Sequence, residues 1–330
     1  MNRLPTRPAK RWARCLATIA CTLAPVLAAS QEFPSRALRI VVPFPPGGPT
    51  DLSTRAVAAE MQAVLGQTVV VENKPGAAGS LGVDMVARSA PDGYTLGISG
   101  VGPTILLAAL DPKLPYKPLK DLAYVGHTGA TELLFVARAG LPASSMSELL
   151  SLARAQPGKL SYATSGSGGP IHVSFELLKG IAGIDLIHVP YKGDPPALND
   201  LLGGQVDLGL LSAPIALPHV KAGRLKPLAA AGAQRSKLFP GVPTVAEAGL
   251  AGYEASVWTL LVAPAGTPPA VLARLNSALS AALRKPELRE KYEQWGMATQ
   301  PMTPEQTLEF VARESARWGR VIQEAKVTRE

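Results

Sequence analysis

The fold is indicated by one stretch of sequence, Ile40-Val41-Val42-Pro43-Phe44-Pro45-Pro46-Gly47-Gly48-Pro49-Thr50-Asp51. Its apolar start continues from Leu38 and predicts a buried strand over residues 38–42. The glycines and prolines that follow are typical of a tight turn. Pro49 suits the first position of a helix, because the N–H group that proline lacks would have no partner within the helix there. The stretch therefore predicts a strand, a turn and the start of a helix.

The helix that follows has apolar residues at helical spacing, which predicts one apolar side. These residues are Leu52, Ala56, Ala59 and Ala63. The free N–H groups at a helix start carry about half a positive charge in aggregate. Such an end attracts a carboxylate or a phosphate. An ordinary strand-to-helix turn without a ligand has the same local pattern, so this stretch alone leaves both interpretations open.

The same pattern occurs a second time, more than a hundred residues later. A predicted strand over 160–164 leads into the turn Ser165-Gly166-Ser167-Gly168-Gly169-Pro170, and apolar residues then recur at helical spacing. If the two turns belong to different lobes, two helix starts face each other across a cleft. That arrangement predicts a site that holds an anionic ligand from both sides.

The N-terminus has the features of a secretory signal peptide, which we place at residues 1–30. Five basic residues without an acidic one precede the apolar run Cys15–Leu27, and Ala28-Ala29-Ser30 suits a cleavage site. The apolar run is too short to span a bilayer comfortably. We therefore expect a soluble, exported protein. Lipidation at Cys21 is a weaker alternative, because Thr18 is a poor start for a lipobox.

Removal of residues 1–30 changes the charge and the cysteine content. The chain has 33 Lys and Arg and 25 Asp and Glu; without the five basic residues of the signal it has 28 against 25, a net charge of +3. A charge this small does not indicate nucleic-acid binding. Both cysteines, Cys15 and Cys21, are lost with the signal. We expect no disulfide, no cofactor and a monomer.

The rest of the chain alternates predicted strands and helices, which favours an α/β fold with mostly parallel sheets and helices on both faces. Two lobes fit this pattern better than one very large sheet. We place the crossings near Thr128–Thr131 and near Leu228–Gly232. Residues 31–128 and 232–330 then form lobe 1, and residues 129–231 form lobe 2. Ligands of such sheets bind beyond the carboxyl ends of the strands, where both turns lie.

Five motifs occur in an order that resembles a known family. They are Val42–Asp51, Val71-Glu72-Asn73-Lys74-Pro75-Gly76-Ala77-Ala78-Gly79, Pro91-Asp92-Gly93-Tyr94-Thr95-Leu96, Val189-Pro190-Tyr191-Lys192-Gly193 and Leu201-Leu202-Gly203-Gly204-Gln205-Val206-Asp207. The chain from about residue 33 onward resembles the Bug/TctC proteins, the periplasmic solute receptors of tripartite tricarboxylate transport systems.

This resemblance implies a two-lobed periplasmic binding protein of the type II-like, Venus flytrap kind, which closes on its ligand. The implied ligands are small carboxylates: organic acids, acidic amino acids or aromatic acids. The implied contacts come from the loops Phe44–Asp51 and Ser165–His172, partly through ordered water. The implied partners are membrane subunits of a tripartite tricarboxylate transporter, with a sensor protein as the alternative.

The candidate ligand-binding residues follow from these two loops and from the neighbouring strand ends. They are Phe44, Pro45, Pro46, Gly47, Gly48, Thr50, Asp51, Ser99, Thr164, Ser165, Gly166, Ser167, Gly168, Gly169, His172 and Tyr191.

Several of these residues have an alternative structural role. Asp51 receives a ligand amine or a water, or it interacts with the helix dipole, and a positioning role suits its charge better than contact with ligand oxygens. The hydroxyls at 164, 165 and 167 bind a carboxylate or cap the helix. His172 donates to the ligand or packs, and Tyr191 lines the pocket or the core. Ser99 marks a third loop. We interpret His127, His188 and His219 as structural.

An enzyme is the rival class of function. The G-x-S-x-G pattern of a nucleophile turn is absent around Ser167, and no H-x-x-x-H pattern or cysteine cluster indicates zinc. The dinucleotide pattern fails because Ile171 stands where its third glycine would be. We expect a binding protein without catalytic residues, with a hydrolase as the least favoured alternative.

Overall fold

The computed structural model describes residues 33–328, and the predicted signal peptide lies outside the described residues. Within that part the strands are β1 (Leu38–Val42), β2 (Val69–Asn73), β3 (Thr95–Gly100), β4 (Leu122–Thr131), β5 (Leu133–Arg138), β6 (Ser161–Thr164), β7 (Ile187–Pro190), β8 (Leu208–Ser212), β9 (Leu225–Ala230), β10 (Val257–Pro264) and β11 (Met297–Ala298).

The α-helices of the same part are α1 (Pro49–Leu65), α2 (Ser80–Ala87), α3 (Leu107–Leu110), α4 (Pro118–Asp121), α5 (Met146–Ala155), α6 (Pro170–Ala182), α7 (Asp194–Leu202), α8 (Ala213–Lys221), α9 (Pro269–Arg284), α10 (Pro286–Gln294) and α11 (Pro304–Glu324). A π-helical turn, Gly102–Leu106, leads into α3. A short 3₁₀ turn, Ala77–Gly79, precedes α2.

The strands form two separate sheets, so the predicted α/β architecture with two lobes is confirmed. The first sheet has the order β11-β4-β10-β3-β1-β2, and the second has the order β7-β6-β8-β5-β9. In the first sheet β1 runs parallel to β2 and β3, and in the second β6 runs parallel to β7 and β8. The strand ends that lead into the two Gly-Gly-Pro turns, those of β1 and β6, lie in different sheets.

The sheets are mixed rather than mostly parallel, and the crossings between them explain why. Strand β4 leaves the first sheet and β10 returns beside it, so the two run antiparallel. Strand β5 enters the second sheet and β9 leaves beside it, again antiparallel. The chain crosses between the sheets in opposite directions at the two crossings. The strands that lie side by side there therefore run antiparallel.

Strand β10, which lies between β3 and β4 in the first sheet, was not predicted from the sequence. Its return to that sheet follows a turn-rich segment over residues 231–256, which stays attached to the end of β9. The Ala230 N–H group donates to the Pro243 carbonyl at 2.8 Å, and the Ala255 N–H group donates to the Ala231 carbonyl at 2.8 Å. The segment therefore stays beside the second sheet before the chain enters β10.

The buried side of α1 differs from the predicted one. Leu52 is 46% exposed, whereas Val57, Met61 and Leu65 are buried in the core of the first lobe. Ser53 and Thr54 are also buried, because their hydroxyl groups donate to the Thr50 carbonyl at 3.1 and 2.6 Å. A hydroxyl that bonds to the preceding turn needs no water, so polar residues occupy the face that a simple apolar pattern assigns to solvent.

Glu132, between β4 and β5, joins three parts of the chain at the first crossing. Its N–H group donates to the Gly296 carbonyl at 2.8 Å, and its carbonyl accepts from the Ala213 N–H group at 3.0 Å. Its carboxylate accepts from the Ser236 hydroxyl at 2.5 Å. Helix α11 also packs against both β4 and α6. The two lobes are therefore linked by a fixed crossing and by one long helix.

Gly296 lies at this junction where there is no room for a side chain. The variant Gly296→Ala tests how much this close packing matters for stability. A β-carbon there would lie 2.4 Å from Cδ of Pro214, at the start of α8, and the backbone has φ +61°. We expect the free energy of unfolding to fall by about 1–2 kcal/mol for the left-handed backbone and by about 1–3 kcal/mol more for the overlap. Urea denaturation measures the change.

The matched control is Gly252→Ala. Gly252 also has positive φ, +83°, but no atom lies within 4 Å of its would-be β-carbon. It should therefore show only the backbone cost. If both variants lose the same free energy of unfolding, the overlap with Pro214 does not contribute to the loss in Gly296→Ala.

Candidate functional site

The two Gly-Gly-Pro turns have the same backbone conformation. Gly47 and Gly168 have φ values of +81° and +71°. Gly48 has φ −77° and ψ 167°, and Gly169 has φ −79° and ψ 170°. A proline opens the helix in both cases. The repetition predicted from sequence is therefore a repetition of geometry, with one copy at the end of β1 and the other at the end of β6.

Each turn presents N–H groups that have no partner inside the helix. The first main-chain bonds that close α1 and α6 run from Leu52 to Gly48 at 3.0 Å and from Val173 to Gly169 at 3.1 Å. The preceding N–H groups of a helix have no intrahelical acceptor. Neither helix has a side-chain cap at its N-cap glycine. The N–H groups of Thr50 and Ile171, each at the second helical position, are thus open to an outside acceptor.

The third residue of each helix turns back to hold the turn in front of it. Asp51 Oδ2 accepts from the Gly47 N–H group at 2.9 Å. His172 Nδ1 accepts from the Gly168 N–H group at 3.0 Å. The acceptor in both cases is attached to the γ-carbon and lies four residues after the donor. Two chemically different side chains therefore make the same contact at equivalent places.

Asp51 is a positioning residue, because its carboxylate is used within the protein. It is 2% exposed. Asn73 Nδ2 donates to Oδ1 at 2.9 Å and also to the Phe44 carbonyl at 3.1 Å, and Arg55 Nε donates to Oδ2 at 3.0 Å. Burial by itself raises the pKa of Asp51, but the hydrogen bonds from Arg55, Gly47 and Asn73 outweigh it and lower this pKa to about 2. The ionised carboxylate fastens the first turn to β2 and α1.

Neither Arg55 nor Asn73 was among the predicted site residues, although both have a signal in the sequence. Arg55 stands four residues after Asp51, which places the two side chains on one side of a helix. Asn73 ends the strand that pairs with β1. Arg55 Nη2 also donates to Asn73 Oδ1 at 2.9 Å, so the three side chains form a closed network behind the first turn.

His172 is buried and lies on a stack of rings beneath the second turn. Its ring lies 3.8 Å from that of His188, with an angle of 13° between the planes. Burial, and secondarily the neighbouring His188, lower the pKa of His172 to about 4. The ring is therefore neutral at pH 7, as an acceptor nitrogen requires. His188, which we interpreted as structural, continues the stack onto Tyr162 at 5.1 Å and so supports the second turn.

Of the three hydroxyl groups at the second turn, that of Thr164 is hydrogen-bonded within the described part of the protein, and those of Ser165 and Ser167 are not. Thr164 is buried; its Oγ1 lies 2.7 Å from His188 Nε2 and donates to the Gly166 carbonyl at 3.2 Å. Ser165 is exposed and Ser167 is half-buried. Within residues 33–328 the hydroxyl groups of these two serines make no hydrogen bond, so both remain available to a ligand.

Ser99 and Tyr191 take positions that differ from a simple ligand contact. Ser99 is fully buried, and its hydroxyl lies 2.6 Å from Thr104 Oγ1, so we do not retain it in the site. Tyr191 is half-buried, and its hydroxyl donates to Asp200 Oδ2 at 2.7 Å. Burial and Asp200 raise the pKa of Tyr191 to about 12. Its phenol stays protonated and bonded within the lobe, and only its ring remains available to line the site.

The first turn has an apolar rim. Pro45 and Pro46 are exposed, and neither has an N–H group to donate. Phe44 is half-buried and lies against Gly79 of the following loop, where an added β-carbon would be 3.4 Å from its ring. The first turn thus offers fewer direct donors than the second.

One feature elsewhere in the described chain is a cavity, and it lies away from the two turns. A cavity of about 690 Å³ lies beside the end of α11, lined in part by Ala109, Gly319 and Lys326, and none of the candidate residues lines it. Among residues 33–328 no three His, Cys, Asp or Glu side chains are grouped so as to hold a metal ion. Nor does any helix of this part combine the length and apolar character of a membrane span. We place the site at the turns because the unpaired N–H groups are there.

Comparison with protein families gives one match over most of the chain. The model of the tripartite tricarboxylate transporter family receptor, TctC, matches residues 53–327. Protein BugT of Bordetella pertussis is 39% identical over 302 residues, which cover 91% of this chain and 92% of BugT. The matched region includes the second turn, and the alignment with BugT spans nearly the whole of both chains.

Solved structures with the same fold include proteins with bound acids. MatC from Rhodopseudomonas palustris with bound malate is 37% identical, with a TM-score of 0.72, over 88% of this chain and all of MatC. A second R. palustris protein, solved with adipate, is 34% identical, with a TM-score of 0.77, over 90% of this chain and all of that protein.

The network around Asp51 predicts a pH-dependent loss of stability in Asp51→Asn. Because its pKa in the folded state, about 2, lies below the ordinary 3.8, the ionised group contributes stability that is complete above pH 4 and is lost as the pH falls toward 2. We expect the variant to lose roughly 2 kcal/mol of unfolding free energy at pH 7. The difference from wild type should shrink below pH 4 in chemical denaturation.

Asp84→Asn is the matched control. Asp84 also pairs with an arginine four residues later, Arg88, but that arginine side chain is 66% exposed. An exposed pair of this kind contributes about 0.3–0.5 kcal/mol. If both variants lose the same small amount at pH 7, the buried network does not hold the first turn.

Proposed function

We propose that this chain, which belongs to the tripartite tricarboxylate transporter receptor family, captures a small carboxylate between its two lobes for uptake. The membership itself confirms the predicted resemblance to the Bug/TctC proteins. Binding is reversible, and closure of the lobes removes water from around the ligand.

The observation that carries this proposal is the matched pair of turns. Each presents the unpaired N–H groups of a helix start, and each is held in place by its own third residue. A hydrogen bond to a charged group contributes about 1.5–3 kcal/mol, so a few such donors provide substantial affinity for a carboxylate. Ser165 and Ser167 add hydroxyl donors on the second turn. Water mediates on the first turn, where prolines replace donors.

The lobes of the proposal are residues 31–128 with 232–330 and residues 129–231. The distribution of strands supports this division, since the first sheet draws on residues 38–131 and 257–298 and the second on residues 133–230. Closure would turn the lobes about two connections, one at Glu132 and one where the segment 231–256, bonded to the end of β9, leads into β10. The two turns would then approach the same ligand from opposite sides.

The acids bound to two relatives, malate and adipate, support a choice among the small carboxylates. Both are small dicarboxylates. We therefore propose an organic diacid as the first candidate, with acidic amino acids and aromatic acids as further candidates. The apolar rim formed by Phe44, Pro45 and Pro46 suits the hydrocarbon part of such a ligand.

The proposed location is the periplasm, reached after cleavage of residues 1–30. The proposed partners are the membrane subunits of a tripartite tricarboxylate transporter, and a sensor protein is the alternative partner. Both partners would recognise the same ligand-bound, closed form, so ligand binding alone does not tell them apart. Co-purification with the membrane subunits would distinguish the transporter from the sensor protein. Catalysis is not part of the proposal, because His172 Nδ1 accepts from the Gly168 N–H group rather than from a serine hydroxyl.

A thermal-shift screen tests the proposed ligand class. Malate, adipate, aspartate and nicotinate are compared with glucose and with adipamide, the neutral counterpart of adipate. A ligand at 100 times its Kd stabilises the folded state by about 2.7 kcal/mol, which should raise the melting temperature by about 5–10 °C. We expect at least one acid to do so and both neutral compounds to have no effect. A shift with glucose or adipamide but with none of the acids would refute the proposal.

Removal of a single backbone donor tests the second turn. In Ile171→Pro the helix loses the N–H group at its second position, and prolines at the corresponding part of α7, Pro195 and Pro196, show that a first turn accepts them. We expect Kd for the active acid to rise about 10-fold, the effect of losing one bond to a charged acceptor. Isothermal titration calorimetry measures it.

Ile171→Ala is the control for that experiment, because it shortens the side chain and keeps the N–H group. Its Kd should stay within about 3-fold of wild type. If Ile171→Ala weakens binding as much as Ile171→Pro, the side chain rather than the N–H group is responsible.

A further inference from the structure

We propose that His172 is a positioning residue that holds the Ser165–Gly169 turn in its anion-accepting form, and that it does so only as a neutral hydrogen-bond acceptor. The inference rests on the proposed function, because affinity for a carboxylate is the property that this residue would control. The side chain at position 172 must provide a hydrogen-bond acceptor at its δ position and must carry no negative charge.

The first turn of the same chain shows what the position requires. Gly47 and Gly168 share their backbone conformation, and the acceptors Asp51 Oδ2 and His172 Nδ1 lie at 2.9 and 3.0 Å from the glycine nitrogens. One acceptor belongs to a carboxylate and the other to an imidazole. The contact, rather than the charge or the ring, is therefore the common property of the two sites.

The charge at this position matters because the surroundings of the two residues differ. Asp51 has Arg55 to compensate its charge. His172 instead has Glu176 near it, with 3.9 Å between Nε2 and Oε1, and that carboxylate already accepts from Lys179 and Tyr162. A carboxylate at 172 would face a second carboxylate. A neutral acceptor leaves the positive end of α6 to the ligand.

Burial and the neighbouring His188 lower the pKa of the ring and keep it neutral, although Glu176 acts in the opposite direction. The groups that face it are Glu176 and Lys179 from α6, Tyr162 from β6 and His188 from β7. His172 is only 8% exposed and its ring stacks on His188, so a proton on the ring would be poorly hydrated and close to another imidazole. Since Nδ1 accepts from Gly168, the proton of the neutral ring lies on Nε2.

Two other roles for His172 make different demands. A ligand contact would need a free ring nitrogen at the surface of the site, whereas Nδ1 is bonded to Gly168 and the ring is buried. A packing role would be filled by any flat ring of similar size, including phenylalanine. The three roles are therefore separable by substitution.

The test compares His172→Asn, His172→Asp and His172→Phe with the wild type. Asn and Asp both place an acceptor at the δ position, as Asp51 does in the first turn. Amide hydrogen exchange of residues 165–172 is measured without ligand, and Kd values for malate and adipate are measured by calorimetry at pH 7. Thermal unfolding establishes that each variant is folded.

We expect the asparagine variant to keep the exchange rates of the wild type and its Kd within about 3-fold. The phenylalanine variant should exchange at least about 10-fold faster in the turn and bind about 10-fold more weakly, because the Gly168 N–H group loses its acceptor. The aspartate variant should keep slow exchange but bind about 10-fold more weakly, because it adds a charge that repels the acid.

A pH titration of the ligand-free protein adds a readout that packing would not change. At pH 7 the amide nitrogen of Gly168 and Nδ1 of His172 should show a coupling across their hydrogen bond in NMR spectra. The coupling should vanish as His172 takes up a proton near pH 4, and the turn should then exchange faster. In the asparagine variant the exchange, corrected for its intrinsic pH dependence, should not show this step.

The proposal is overturned if the turn of the phenylalanine variant stays as protected as in wild type, or if the asparagine variant binds as weakly as the phenylalanine one. If neither malate nor adipate binds the wild type, the proposed ligand is wrong. The exchange and coupling measurements still decide the role of His172 in that case, because they need no ligand.

Discussion

The site depends on one constraint of backbone chemistry: the first N–H groups of a helix have no partner within that helix. In many helices a side chain at the cap satisfies them. Here glycine occupies the cap of both α1 and α6, and the third side chain bonds to the turn instead. The helix ends therefore stay open to an outside acceptor while the turns in front of them are held in one conformation.

The supports behind the two turns are chemically unequal. The first turn is held by the charged network of Asp51, Arg55 and Asn73, in which the negative charge is compensated. The second turn is held by a neutral imidazole on a stack of rings. The first turn also has Pro45 and Pro46 at the positions that Gly166 and Ser167 occupy in the second. The second turn therefore has the larger share of direct donors, and the first contributes shape and an apolar rim.

The connection between the lobes follows from the way the chain passes between the sheets. It leaves through β4 and returns through β10, and these strands pair side by side. Glu132 at the first crossing bonds to residues from three parts of the chain. The chain thus passes between the two sheets at two places, and α11 packs against β4 of the first sheet and against α6, which follows β6 of the second.

The sequence by itself determined the strands β1 and β6, both Gly-Gly-Pro turns and the helix starts, because apolar runs, glycine and proline act over a few residues. It also determined the family, through motifs of the same local kind. Only the tertiary structure decided which side of α1 is buried, that β10 lies within the first sheet, and that Ser99 is buried against Thr104. It likewise supplied Asn73 to Asp51 and His188 to Thr164, partners 22 and 24 residues apart. The first contact joins α1 to β2 and the second joins β6 to β7. Which elements become neighbours is set by the packing of the whole chain rather than by any one segment.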